Sequence, residues 1–373
     1  MKESDDPRWL VDRLYPSNCV GRPVPKVTLR DDGATLVDGK PFFPIGIYSV
    51  CKRGFNGHSF DKAFAGLKEA GFNFAHTYGD AYDPEFLAAA GKHGIKLWVH
   101  ARMPDDRLLK IGRMEPSIMA WYLGDDTASH RTPQELMDNN AAIKAVDAFR
   151  ITCQADVISS DLHISRYAAY VRGTDVFMPE IYPVRKKAGD GSDKTCVAEA
   201  IRDMKRVASD VRTFGDGKPR GCWPIIQYFK GWGDWGHFPD ERQLAAMTWA
   251  SVIHGANGVT WYTYGGTRDG NEGVTSTPER WRAISKLAQE LKRYSPVLLE
   301  RTSRAQPTVE TIEGPKKDPL GREPSVSVLL KVHKGKPYLF AVNASPESVT
   351  ARIRLPDGNA FTERFPPFGV LIR

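Results

Sequence analysis

The chain has 373 residues, 41% of them hydrophobic and 26% charged, with a net charge of +7. That is globular composition with apolar material for a large core. No run of about eighteen apolar residues occurs, so no membrane-spanning helix is expected. Lys and Arg are scattered rather than interleaved with aromatics, so the basic balance reads as solvated surface and no nucleic-acid partner is expected. The five cysteines, Cys19, Cys51, Cys153, Cys196 and Cys222, show no CxxC spacing. Neither a zinc site nor a disulfide framework follows, though one bridge has room to form. The polar start MKESDDPRW lacks an apolar signal core. It suits a cytoplasmic start, or a mature secreted chain whose signal has been removed.

Residues 27–40 (VTLRDDGATLVDGK) alternate around DDG and DGK and read as a β-hairpin. A strand–helix rhythm follows. Strands are expected at 41–50, 72–78, 95–102, 117–126, 151–157, 175–184, 221–229 and 258–266. Helices are expected at 60–71, 83–94, weakly through 105–114, from 132 to 149, through 164–173, and at 195–213, 240–256 and 277–294. Gly71 is a helix stop, and Thr132 with Glu135 forms a candidate capping box. The strand runs are apolar on both faces, as in a buried parallel sheet. The pattern is α/β, a (β/α)8 TIM barrel. A doubly wound open sheet is the rival, disfavoured because no glycine-rich phosphate loop follows the first strand. Residues 305–373 change to alternating strands with tight turns at HKGK and PDGN, a small C-terminal antiparallel β-sandwich domain. The expected division is an N-terminal segment and hairpin at 1–40, the barrel at 41–300 and the β domain at 305–373.

In such a barrel the working residues lie at the C-terminal strand ends. Those ends carry Tyr48, His76, Tyr78, Trp98, His100, Asp125, Asp126, Glu180, Tyr182, Gln227, Tyr228, Tyr262 and Tyr264. The following loops add Trp232, Asp234, Trp235, His237, Arg268, Asp269, Asn271 and Glu272. Aromatic rings cover the C–H faces of a pyranose, carboxylates and amides pair with its hydroxyls, and two carboxyls suffice for glycosidic chemistry. No metal-ligand spacing and no GxSxG elbow appears. Asp125 and Asp126 point to opposite sides if the strand continues. Asp126 is read as the acid and Asp125 as its supporting neighbour, against the alternative that both cap backbone N–H groups. Glu180 is read as the partner carboxylate, against the alternative of a buried ion pair. His76, Tyr78, Trp98, His100, Tyr182, Gln227, Tyr228, Trp232, Asp234 and Tyr264 are the candidate substrate-binding residues, with Trp232 and Trp235 serving equally well as loop staples.

These residues carry a resemblance. LVDGKPFFPIGIY resembles the hairpin and first strand of retaining TIM-barrel glycoside hydrolases of clan A. AWYLGDD, DVFMPEIYPV and WPIIQYF followed by DERQLAAMTWASVIHGANGVTWYTYG resemble motifs of a bacterial β-galactosidase-like branch, over roughly residues 35–295. The resemblance implies an acid/base carboxylate at Asp126 and an acidic site residue at Glu180. This chain departs from the pattern in three places. Aspartate replaces glutamate at Asp126, Thr127 replaces a proline, and Gln227–Tyr228 stands where clan A enzymes carry a nucleophilic glutamate. The second carboxylate role then falls to Glu180 or Asp234. A carboxyl separation of about 5–5.5 Å suits retention and about 6.5–9.5 Å inversion.

The expected activity is a glycoside hydrolase acting on an oligo- or polysaccharide, with the basic charge hinting at an anionic one. No cofactor or metal is expected, and the location is secreted or periplasmic. A catalytically degenerate carbohydrate-binding barrel is the first alternative. A lyase or metal hydrolase on the same fold is the second.

Overall fold

The computed structural model describes residues 24–51, 59–79, 81, 83–101, 115–157, 168–187, 192–231, 233–266 and 270–373. The helix expected through 105–114, the first four residues of that at 164–173, and Cys19 lie outside these residues. The chain starts as an antiparallel sheet of β1 (Val27–Leu29), β2 (Thr35–Val37) and β3 (Lys40–Phe42).

The parallel staves follow: β4 (Ile45–Ile47), β5 (Phe74–His76), β6 (Lys96–His100), β7 (Ile118–Tyr122), β8 (Ile151–Val157), β9 (Val176–Ile181), then β10 (Gly221–Cys222) with β11 (Ile225–Gln227), and β12 (Val259–Tyr262). Trp223 and Pro224 interrupt the seventh stave, dividing it into β10 and β11, both paired with β9. Pairing of β8 with β9 and of β12 with β4 closes the ring. This is a (β/α)8 TIM barrel.

Alternation sorts the side chains. Phe74, Trp98, Ala120, Tyr122, Cys153, Ala155, Val176, Met178 and Ile225 fill the barrel interior. Their neighbours Ala75, Leu97, Val99, Trp121, Phe177 and Ile226 face the helices. Val27, with Leu29, Val37 and Phe42 beside it, packs onto the interior cluster, so the hairpin covers the N-terminal end of the barrel. The four described cysteines are all free thiols.

The shell helices are α1 (Phe60–Ala70), α2 (Pro84–His93), the short α3 (Thr127–His130), α4 (Pro133–Val146), α5 (Glu199–Phe214), α6 (Glu241–Ile253) and α7 (Pro278–Leu298). Their ends follow from local chemistry. Gly71 and Gly94 take left-handed backbone at the ends of α1 and α2. Thr132 and Glu135 form the capping box of α4 in both directions.

The chain ends in two antiparallel sheets. One orders β13 (Thr308–Glu313), β16 (Val349–Arg354) and β17 (Ala360–Phe365); the other orders β14 (Val326–His333), β15 (Lys336–Asn343) and β18 (Val370–Ile372). Val326, Leu330, Leu339, Ala341, Val349, Ile353 and Phe365 fill the space between them, making a sandwich. The outer face of the second sheet gives Leu329, Phe340 and Val342 to the apolar layer of the barrel helices. There Phe340 stacks on Trp249 with centroids 5.3 Å apart. No helix among the described residues is long and apolar enough to cross a membrane.

Candidate active site

The inward parity of the strands runs out at the C-terminal mouth, and this fixes what lines it. Glu180 follows Val176 and Met178 on the inward face of β9, and half-buried Tyr182 continues that face. Glu180 is 9% exposed. Among the described residues it meets neither a cation nor a hydrogen-bond donor. Burial pushes its carboxyl well above the usual range, and the charges of Asp126, Asp125 and Asp156 add to the push. A structural buried carboxylate is ordinarily paired, because an unpaired one is costly. Among the described residues, then, no cation forms the ion pair of the alternative reading of Glu180.

At the end of β7 the chain turns sharply. Gly124 has φ 139° and Asp126 φ 47°. The turn continues into α3, which Asp156 of β8 holds by accepting Thr127 Oγ1 at 2.9 Å and Ala128 N–H at 2.7 Å. The threonine that stands where the resembling motif has proline thus makes a bond proline lacks. The turn leaves Asp125 half-buried and Asp126 exposed. Asp125 accepts the hydroxyl of Tyr122, and the Tyr78 hydroxyl also favours its ionised form. Burial raises its carboxyl to about 6, the two tyrosines pull against that rise, and Asp126 and Asp156 add to it. The sequence places the raised acid at Asp126; in the structure the site carboxyls that burial raises are Asp125, Asp156 and Glu180.

The fold gathers some of the expected binding residues and removes others. His76, Tyr78 and His100 lie together, with Tyr48 and Tyr122, on one side of the mouth. His76 is fully buried with neither ring nitrogen partnered among the described residues, and burial holds it well below its usual pKa, neutral. Tyr182, Phe229, Trp235 and Tyr262 make an aromatic group on the other side. Trp235 serves there as a staple, its Nε1 donating to the Tyr182 carbonyl at 3.2 Å.

Five expectations need correction. Trp98 is fully buried beneath His76 and Tyr48, part of the floor rather than the surface. Gln227 spends its amide on the backbone of Val184, donating to the carbonyl at 3.0 Å and accepting the N–H at 2.9 Å. Tyr228 and Tyr264 point outward into the helix layer, against Phe238 and Trp281. Asp234 is held by Lys187 at 3.7 Å and Lys194 at 3.9 Å, so it is no free carboxylate. Glu272, a further acidic candidate, pairs with Lys230 at 2.8 Å and with Arg280. Trp232, Arg268 and Asp269 lie outside the described residues. The site residues that sequence reading missed are Tyr122 and Asp156. The inward parity of Ala120 and Tyr122, continued towards Asp125, is a signal for the first; nothing local marks the second. Among the described residues no cluster of His, Cys, Asp and Glu could hold a metal ion.

No family model and no curated protein matches this sequence. Solved structures do. The chain is similar to a GH2 β-galacturonidase from Eisenbergiella tayi, with TM-score 0.54 and 13% identity over 72% of this chain and 55% of that one. It is similar also to a β-D-glucuronidase from Dictyoglomus thermophilum, with TM-score 0.51 and 14% identity over 72% and 54%. The chain thus spans little more than half the length of these structures. At such identity the likeness is one of fold, and it agrees with the strand order and sheet pairing: a TIM barrel carrying an antiparallel β-sandwich.

Proposed function

We propose that this chain is a glycosidase that cleaves an oligo- or polysaccharide with the carboxyls of Glu180 and Asp126. The observation that carries the reading is Glu180. It is a buried carboxyl at the barrel mouth, with no cation or donor among the described residues to justify it structurally, facing two more carboxyls between two aromatic groups. A carboxyl that burial makes hold its proton to higher pH can hand that proton to the oxygen of a leaving sugar. Exposed Asp126, whose charge is the largest felt by Glu180, then serves as base or nucleophile at the anomeric carbon. This inverts the roles assigned from the sequence but keeps the same pair. Asp125 stays behind them as the supporting carboxyl. The similar structures, named as a β-galacturonidase and a β-glucuronidase, favour a glycoside as substrate. Action outside the cytoplasm, where polymeric glycans are met, completes the proposal.

A second reading has one observation in its favour. Gln227, at the position of the clan A nucleophile, is wholly engaged by the Val184 backbone, as befits a barrel that binds sugar without cleaving it. One experiment separates the two. Wild type, Asp126→Asn and Glu180→Gln are incubated with aryl glycosides, uronides included, and with polysaccharides, and released sugar is measured. Turnover by wild type with losses on the order of a thousandfold in both folded variants supports the glycosidase. Binding without release by wild type supports the degenerate barrel. Turnover that survives both substitutions refutes the assignment.

A further inference from the structure

The face of the barrel opposite the mouth holds a cavity. It measures about 760 Å³ and lies where the N-terminal hairpin, the barrel helices and the C-terminal sandwich meet. Its place follows from chain direction. Phe43 and Asn257 line it just before β4 and β12, and residues 252–256 and 298–302 line it at the ends of α6 and α7. Strands begin and helices finish on this face, so the barrel separates the cavity from Asp126 and Glu180. Its volume falls within the range of small-molecule sites, roughly 300–1,000 Å³.

One buried cation reaches the cavity from the sandwich. Along β14, Val326 and Leu330 turn into the sandwich core. Ser327 and Leu329 turn to the barrel, where His254 contacts Ser327 at 3.0 Å and Leu329 joins the apolar layer of the helices. The same alternation puts Lys331 on the barrel side. It is 7% exposed and lines the cavity. Its ammonium donates to the Glu300 carbonyl at 2.5 Å, and Arg30 Nη2 donates to the Leu299 carbonyl at 2.7 Å, so both carbonyls after α7 are covered. Tying down a carbonyl takes one N–H, whereas an ammonium has three. No carboxylate among the described residues pairs with Lys331.

The other charges around the cavity are mostly spent. Arg30 pairs with Asp32 at 2.7 Å, Arg301 with Asp31 at 2.6 Å and Lys205 with Glu323 at 2.5 Å. Glu300 turns its carboxyl to His333 at 2.7 Å. Exposed Arg212 of α5 also lines the cavity and, like Lys331, has no carboxylate partner among the described residues. Phe43, Val252, Leu298 and Leu329 make part of the wall apolar. A buried ammonium with open donors is costly until an acceptor, best a charged one, meets it.

We propose that this cavity binds a small organic anion, whose acid group takes the open N–H groups of Lys331 while its apolar body lies against Leu298 and Leu329. The site is separate from the carboxyls at the mouth and does not rest on the glycosidase reading. Because hairpin, barrel and sandwich all contribute to it, an anion held there would tie the three together.

The amine itself reports occupancy. Burial lowers Lys331 to about 8, Asp32 and Glu300 pull it up, and Arg30 pushes it further down. A bound anion favours the ammonium and raises that midpoint, so anion affinity should fall as pH rises through about 8. The charged groups packed around the amine are Arg30, Asp31 and Asp32 of the hairpin and Lys205 and Arg212 of α5. Glu300 and Arg301 follow α7, Glu323 precedes β14 and His333 ends it. His254, after α6, is held by burial at about 4 and stays neutral over this range.

The test uses the full chain with lysines 13C-labelled at Cε, titrated by NMR alone and with benzoate, phenyl phosphate, inorganic phosphate or neutral benzamide. The Lys331 signal is assigned by its loss in Lys331→Met. Its midpoint without ligand is expected near 8. Saturating benzoate or phenyl phosphate is expected to raise it by about half a unit or more, and whichever acts more strongly names the acid group. Calorimetry should show benzoate or phenyl phosphate binding about tenfold weaker in Lys331→Met and about threefold weaker in Arg212→Gln. A midpoint that no anion moves, or that benzamide moves equally, overturns the proposal. So does undiminished binding in folded Lys331→Met. Inorganic phosphate acting more strongly than both aromatic anions overturns the part given to the apolar wall. If Lys331→Met fails to fold, Lys331→Arg supplies the assignment and Arg212→Gln the affinity comparison.

Discussion

Two carboxyls raised by burial set the behaviour of single residues. With Glu180 as the acid, kcat/KM should fall where Glu180 loses its proton, at a pH well above the ordinary carboxylate range; a pH–rate profile checks this. Asp125 adds a stability signature. Its folded pKa of about 6 lies above that of the unfolded chain, so the native state holds its proton longer. Stability therefore falls as pH rises from about 4 to about 6, and the loss is complete above that window. Asp125→Asn, which cannot ionise, should gain up to about 2 kcal/mol over wild type at pH 8 and nothing at pH 4, read from thermal melts at both. Equal melting differences at both pH values would refute the buried charge. The carboxyls themselves were legible in sequence because strand ends of a TIM barrel are predictable places. Their division of labour was not, because it depends on the backbone turn that buries Asp125 and exposes Asp126.

At the scale of elements, the strands were readable from their apolar runs and α4 from its capping box, both local signals. The clamp between β11 and the loop after β9 was not, since Gln227 and Val184 are 43 residues apart. Alternation does carry part of the answer: the parity that puts Gln227 inside puts Tyr228 outside, among the helices. The clamp can be tested. Gln227→Ala leaves a buried N–H and carbonyl of Val184 unpartnered and should cost about 2–4 kcal/mol in urea unfolding. Gln227→Glu, which can accept from Val184 N–H but not donate to its carbonyl when ionised, should destabilise rather than create activity. The mouth has a second tie of this kind. Glu272 N–H donates to the Lys230 carbonyl at 2.8 Å, joining the loops after the last two staves. A Cβ at Gly231 would come within 1.7 Å of Asn271 Oδ1, so Gly231→Ala must push the buried Asn271 side chain aside. Its effect should appear as a lower melting temperature.

For the whole molecule, one apolar layer runs from the barrel helices into Leu329, Phe340 and Val342 of the C-terminal sheets. Phe340 lies on Trp249, and Trp249 is itself fixed by its Nε1 bond to Glu290 at 2.8 Å. Barrel and sandwich should therefore unfold together, in one calorimetric transition. Phe340→Ala should cost about 3–5 kcal/mol and expose any independent melting of the two parts. Two separated transitions in the wild type would contradict the shared layer.

The left-handed backbone at Asp126 reaches beyond this one protein. Short polar residues such as aspartate and asparagine accept that conformation more readily than longer ones, which meet roughly 1–2 kcal/mol of steric penalty there. The turn thus selects the length of the acid it carries. A chain with this bend is pressed towards aspartate and away from glutamate at that position. A glutamate placed at 126 would gain reach and lose fit. A sequence pattern that demands glutamate there would pass over any protein that carries the bend.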